Sequence, residues 1–196
     1  MEDKRVRKTK QHLKQTALHM LEHRTFEQLT VKDLCAESDT SRITFYTHYA
    51  DKYDLMDDVC ADLVEIARRD YHRLQLINNE AGDAVLNFCN LFNCILNLFV
   101  EFYGLFQHTV VGDSPYLNAL FDRYLLKFVK YRIQKDQPAL HFKYPPEQTA
   151  GVLIHALLGF LREGRRSKQS IETIRTQALQ LLQNLLRSNV LTQQRA

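Results

Sequence analysis

The side chains with most chemistry to offer are crowded into two helical turns. Arg42, Thr44, Tyr46, Thr47 and His48 are all polar-tipped, and only Ile43, Phe45 and Tyr49 remain to anchor them. A helix built to sit in a core does not carry such a set. The elements around it are short and well marked. Thr30 caps a helix over residues 30–37, with Val31, Leu34 and Cys35 on one side. Ser38-Asp39-Thr40 makes a turn, because these side chains compete for the backbone's hydrogen bonds. Asp39 is among the few non-glycine types that tolerate a left-handed conformation. Ser41 then caps a second helix over residues 42–49, and Asp51 caps a third. Two short helices joined by a three-residue turn form the arrangement that lays its second helix in the DNA major groove. The alternative is a plain helical hairpin inside an all-helical core.

The charge distribution points the same way. Lys4, Arg5, Arg7, Lys8, Lys10 and Lys14 stand against only Glu2 and Asp3 in the first fourteen residues, while the net charge is only +3. A basic arm just before a helix-turn-helix is placed for phosphate or minor-groove contacts. The alternative is a solvated, flexible tail.

Thr30-Val-x-x-Leu34, Ser41-Arg-Ile-Thr-Phe-Tyr-Thr-His-Tyr49 and Asp51-Lys-Tyr-Asp-Leu55 together resemble the N-terminal signature of the TetR/AcrR family of transcriptional regulators. The resemblance covers roughly residues 8–60. It departs from the family at the turn, usually Ala-Gly-Val-Ser, where Asp39 takes the glycine's place. The resemblance implies phosphate and groove contacts from Thr44, Tyr46 and His48. Thr30, Lys32 and Lys52 are expected to hold the DNA backbone, with Ser41 and Ile43 completing the contact surface. Arg42 and Thr47 are expected to read base edges, Arg42 by a bidentate bond to guanine.

Apolar residues make up 45% of the 196, with 6 Gly and 4 Pro and no strand-type alternation, so the chain is expected to be all-α. The predicted organisation is a helix-turn-helix domain over residues 1–50, its basic arm over 1–14, and a helical regulatory and dimerisation domain over 51–196. Residues 51–74 form the connecting helix. Residues 83–106 are apolar around most of a helix, interrupted by Asn87, Asn90, Asn93, Asn97 and Glu101 within an arc of about 120°. That stripe reads either as a solvent strip or as the polar spots of a cavity. Gly112-Asp113-Ser114-Pro115 marks a turn and helix start, and residues 136–145 a loop. Arg123, Lys127, Lys130 and Arg132 read as a solvated face.

By the same resemblance, Phe88, Phe92, Phe99, Tyr103, Phe121, Tyr124 and His155 are candidates to line a pocket for an apolar or aromatic effector. The last two long helices are expected to pair two subunits, with Leu153, Leu157, Phe160, Leu161, Leu182 and Leu186 at the interface and Gly159 permitting close approach. No glycine-rich phosphate loop, HExxH or nucleophile elbow occurs, so no catalytic residue is assigned. Cys35, Cys60, Cys89 and Cys94 show no CxxC spacing and read as buried thiols, so neither metal nor cofactor is expected. The charged start lacks a signal-peptide pattern, which suggests the cytoplasm and no membrane partner. The expected function is a DNA-binding homodimeric regulator, a repressor on a near-palindromic operator, released by a small molecule. The alternative is the same fold controlled by a partner protein, with no small-molecule pocket.

Overall fold

Ser, Thr and Asp punctuate the chain where helices begin. The structure, a computed structural model, describes residues 4–106, 114–136, 140–188 and 190–193. Its helices are α1 (Lys4–Met20), α2 (Val31–Glu37), α3 (Arg42–His48), α4 (Lys52–Asn78), α5 (Ala84–Glu101), α6 (Pro115–Asp136), α7 (Pro146–Arg166) and α8 (Ile171–Arg187). A 3-10 turn, Phe26–Gln28, precedes α2, and residues 103–106 are also helical. Thr30, Ser41 and Ser170 each accept the amide of the third helical residue, at 3.1, 3.0 and 3.2 Å. Asp51 Oδ1 accepts from the amides of Tyr53 and Asp54 at 2.8 and 2.9 Å. Each such cap is worth about 1 kcal/mol.

The all-α expectation holds, with one addition. His141–Phe142 and Thr192–Gln193 form a two-residue antiparallel ladder, pairing His141 with Gln193 and Phe142 with Thr192. The first of these falls in the expected loop, of which residues 137–139 lie outside the described residues, as do Gly112 and Asp113.

The chain divides into two compact units, one from residues 1–63 and 102–121, the other from 64–101 and 122–196. The segment expected over residues 1–50 thus lies in a unit that also takes in the first turns of α4 and the start of α6. In this first unit Leu13, Ala17 and Leu21 come from successive turns of the N-terminal segment and are buried with Phe26, Leu34, Phe45, Leu55 and Val59. Ile43 is not among them: it is 82% exposed. Phe45 and Tyr49, four apart, take the inner face of α3, and Ile43 lies about 200° around the helix from Phe45.

In the second unit α5 is the central helix, packed on α8, which in turn packs on α7. Its asparagine stripe is bonded to neighbouring helices, and Asn97 with Glu101 also edges an open cleft of about 450 Å³. Asn87 Oδ1 accepts from Asn79 (2.8 Å), Asn90 exchanges two bonds with Asn78 (2.7 and 3.1 Å), and Asn97 donates to Asp70 (2.6 Å). Asn93 Oδ1 accepts from Arg175 (3.3 Å) on α8. The stripe is a ladder of interhelical bonds that fixes the register of α5 on α4 and α8. With a mean hydropathy of 1.4, α5 is long and apolar enough to cross a membrane. Its buried face and bonded amides make it a core helix instead.

Among the expected interface residues, Leu153, Leu157, Leu161, Leu182 and Leu186 are buried within the second unit itself. A helix apolar all round has two faces, and these leucines form the inner one. Only Phe160 of the set is part-exposed. The expected pocket residues are similarly scattered. Phe88, Phe92 and Phe99 are buried in the second unit, whereas Phe121 packs on Phe106 in the first, ring centroids 4.7 Å apart. Tyr103 is 47% exposed, and His155 is an exposed residue whose Nδ1 lies 2.8 Å from Gly151 O. All four cysteines are free and buried.

Candidate nucleic-acid interface

The joint between α2 and α3 is closed by backbone bonds that only a left-handed residue permits. Thr40 N–H donates to Cys35 O (2.9 Å) and Asp39 N–H to Ala36 O (3.4 Å), with Asp39 at φ 46°. This is the helix-ending motif that usually takes glycine at that position. Ser38 is buried and ties the turn down, its hydroxyl donating to Leu34 O at 2.7 Å. His12 Nε2 lies 3.1 Å from Ser38 O, linking α1 to the joint. Asp39→Gly is therefore expected to stabilise the fold by about 0.5–1 kcal/mol, and Asp39→Val to destabilise it by about 1–2 kcal/mol, in urea unfolding.

Against this joint α3 turns a compact exposed face outward. Arg42, Ile43, Tyr46 and Thr47 are exposed, and Thr44 and His48 half-buried beside them. At positions i, i+1, i+4 and i+5 the exposed four form one surface of two turns. Their polar groups are not equally available. Thr47 Oγ1 donates to Ile43 O (2.8 Å), leaving its oxygen lone pairs and methyl outward. Ser41 Oγ and Thr44 Oγ1 bond each other at 2.8 Å while Ser41 caps the helix. Thr30 donates to Asp33 Oδ2 at 2.6 Å, and that bond is the main reason the Asp33 carboxyl titrates below its ordinary range. Lys32 is exposed on the first turn of α2.

The far end of α3 is locked to the unit's other helices. Tyr49 hydroxyl donates to Asp58 Oδ2 (2.8 Å) on α4, and Lys10 Nζ lies 3.2 Å from the same oxygen. Lys14 reaches Asp58 at 3.5 Å and also pairs with Asp62. Burial raises the Asp58 pKa, but Tyr49, Lys10 and Lys14 outweigh it and leave the carboxyl below its usual 3.8. A carboxylate with a depressed folded pKa contributes stability above its unfolded pKa and loses it as pH falls through the folded one. The first unit is thus expected to lose stability steeply below about pH 4, and Asp58→Asn to flatten that fall in melting curves recorded against pH.

One expectation about cations is corrected here. The basic segment is helical from Lys4, and its Lys10 and Lys14 pair with carboxylates of the same unit. Lys4, Arg7 and Lys8 remain exposed at its start. Lys52 does not present its ammonium to a phosphate. Its Nζ donates to Phe26 O (2.9 Å), Leu29 O (2.8 Å) and Glu27 O (3.4 Å), and lies 4.5 Å from the Phe26 ring centroid. Those carbonyls end the 3-10 turn, so Lys52 is a clamp between α4 and the segment leading into α2. Partial burial lowers its pKa. A backbone knot of carbonyls leaves no trace in residue type, which is why sequence reasoning missed this role.

Residues 14–59 match the family described as bacterial regulatory proteins, tetR family. No curated protein matches the chain in sequence. A TetR-family transcriptional regulator from Syntrophomonas wolfei, described as putative, superposes with a TM-score of 0.77 at 17% identity, covering 93% of this chain and 97% of that one. The fatty acid degradation regulator FadR of Bacillus halodurans gives 0.67 at 15% identity, over 92% and 97%. SmeT, repressor of the Stenotrophomonas maltophilia multidrug efflux pump SmeDEF, gives 0.65 at 12% identity, over 94% and 90%. These likenesses extend the shared fold beyond the matched segment to nearly the whole chain. With its helix-turn-helix and outward-facing α3, the segment over residues 14–59 is of the bacterial regulatory protein, tetR, type, and the chain around it has the fold of TetR-family structures.

Proposed function

We propose that the chain is a homodimeric repressor that places α3 of each subunit in successive major grooves of a near-palindromic operator and is released by a small-molecule effector. The observation that carries this reading is the exposed face of Arg42, Ile43, Tyr46 and Thr47 on a helix whose other side is fixed. Arg42 is the candidate for a guanine edge, Ile43 and the Thr47 methyl for thymine methyls, and Tyr46 for phosphate or sugar. Lys32, Thr44, His48 and the exposed cations at the start of α1 supply backbone contacts. Thr30 and Ser41 act through their caps, and Lys52 through the clamp.

Pairing of subunits is supported by what α7 and α8 leave outside. Val152 is 53% and Leu181 39% exposed, and Ala156 is exposed between them. Ala156, Phe160, Leu181 and Leu185 edge a crevice of about 20 Å³. That space is about one water in size, too small for a ligand, and the apolar side chains around it suit contact with a second copy.

The test is selection of bound fragments from the source genome, followed by titration of the recovered site. Arg42→Ala should lose about 1–3 kcal/mol of discrimination between that site and random DNA. An unchanged ratio removes Arg42 from base readout. Failure to recover any fragment sinks the function.

A further inference from the structure

Nothing in the fold requires isoleucine at position 43. Ile43 is 82% exposed, so it fills no core, and a β-branched side chain favours a helix less than alanine or leucine does. Single apolar residues are common on protein surfaces, but this one stands inside the outward face of α3 and not at its edge. At about 100° per residue the exposed four run in the order Arg42, Tyr46, Ile43, Thr47 around the helix, over an arc of about 140°. Thr47 is the neighbour one turn on, and its Oγ1 donates its only proton to Ile43 O at 2.8 Å. Toward a partner Thr47 therefore offers an acceptor oxygen and a methyl group, and no donor. Beyond Tyr46 the face is apolar with one hydrogen-bond acceptor.

In a major groove that chemistry selects narrowly. Guanine shows two acceptors, N7 and O6, which repel the Thr47 oxygen and leave Ile43 nothing apolar to cover. Thymine O4 is also an acceptor, and Thr47 has no proton to give it, so the group of thymine left to recognise is its C5-methyl. Cytosine offers Thr47 its N4 amino group but presents only a hydrogen at C5 to Ile43. A methyl at that carbon completes the match. We propose that Ile43, with the Thr47 methyl, reads a pyrimidine 5-methyl group, so that thymine and 5-methylcytosine are accepted and uracil and unmodified cytosine rejected at the same position of each half-site. Operator binding is then sensitive to cytosine methylation at that position. This rests on the reading of α3 as the groove-reading helix, and extends its thymine contacts to recognition of a modified base.

The test titrates the full chain into a recovered duplex in which thymine is replaced by uracil, one position at a time in both half-sites. That exchange removes a methyl group and keeps every hydrogen-bonding group. Covering one methyl changes affinity about fourfold, so the two half-sites together should lose about tenfold at the position Ile43 reads. Ile43→Ala, an exposed change to a better helix former, should bind the thymine and uracil duplexes within about twofold there. Comparing both chains on both duplexes cancels what uracil does to the DNA itself. Thr47→Val, which keeps the methyl and drops the hydroxyl, should retain the preference for thymine. At the same position 5-methylcytosine paired with guanine should bind about tenfold more tightly than cytosine paired with guanine, since only the methyl differs. Equal binding of thymine and uracil at every position overturns the proposal. So does a uracil penalty that Ile43→Ala leaves intact or Thr47→Val abolishes, and so does 5-methylcytosine bound no better than cytosine. Each of those results leaves α3 as the DNA-reading helix, whereas a chain that recovers no duplex refutes that reading and the proposal with it.

Discussion

Lys52→Met should lower the stability of the fold by about 2–4 kcal/mol, the largest effect of any single exposed-looking cation in the chain. The loss has two parts. Removing the ammonium deletes charge-assisted bonds to Phe26 O and Leu29 O, each partly buried; Phe26 O keeps the Leu29 amide at 3.2 Å, and Leu29 O is left short of a donor. The bond to Glu27 O is exposed and longer, and water replaces it at little cost. Methionine keeps the stem that packs on Phe26, so the measurement isolates the ammonium. With a urea slope of about 1–3 kcal/mol/M the midpoint should fall by roughly 1–2 M. A phosphate contact gives the opposite pattern: unchanged stability, and a salt dependence of DNA binding shallower by about one unit. Measuring both on one variant separates the roles, and an unchanged urea midpoint removes the clamp.

What the clamp holds also bears on how a signal travels. Phe26 is stacked on Tyr116 (4.7 Å) and meets Tyr53 edge-on (5.3 Å), and Ser114 donates to Glu27 at 2.9 Å. The start of α6 is thus bonded to the segment that enters the helix-turn-helix. The same helix runs on to Asp136, and its residues 124–135 line a cleft of about 570 Å³ with the later part of α4. α4 has the same double membership, bonded to Tyr49 at its start and lining the cleft further on. On the proposed reading, an effector would shift DNA affinity only by its preference between states of these two helices.

The sequence announced the helix-turn-helix because every device there is local. Thr30, Ser41 and Asp51 cap the helices three residues away, and Asp39 bends the backbone at its own position. The substitution of aspartate for glycine was readable because so few residue types tolerate that conformation. The regulatory half was legible only as far as periodicity reaches. Hydrophobic spacing placed α5, α7 and α8 but does not tell an inner apolar face from an outer one, so the buried Leu153, Leu157 and Leu182 were expected at a subunit interface. The asparagines of α5 look alike in sequence, and only their partners on other helices reveal a bonded ladder. Arg132 looks like its solvated neighbours until α4 brings Tyr71 beneath it. Long-range partners decide all three, and a linear pattern carries none of them.

On the proposed pairing through the outer face of α7, Gly159→Leu should convert the dimer to monomers without harming the fold, and so weaken operator binding by about 10²–10⁴-fold. A Cβ built at Gly159 meets no atom within 4 Å, so the position has room in its own subunit for a side chain to start. Replacing a mid-helix glycine also favours the helix by about 0.5–1 kcal/mol. Any loss of assembly must then come from the second copy, whose helix approaches closely only where the surface is small. Leu157→Ala is the contrasting variant. Leu157 is 6% exposed and inward, so its truncation should cost about 2–5 kcal/mol of fold stability as a core cavity. Sedimentation and urea unfolding on both variants assign the two faces of α7. A Gly159→Leu chain that remains dimeric and holds its operator places the interface elsewhere. A Leu157→Ala chain that dissociates with unchanged unfolding returns it to the inner leucines. When the two half-sites are no longer joined, each recognition helix binds alone, and the residual affinity measures what Arg42, Tyr46 and Thr47 contribute in one groove.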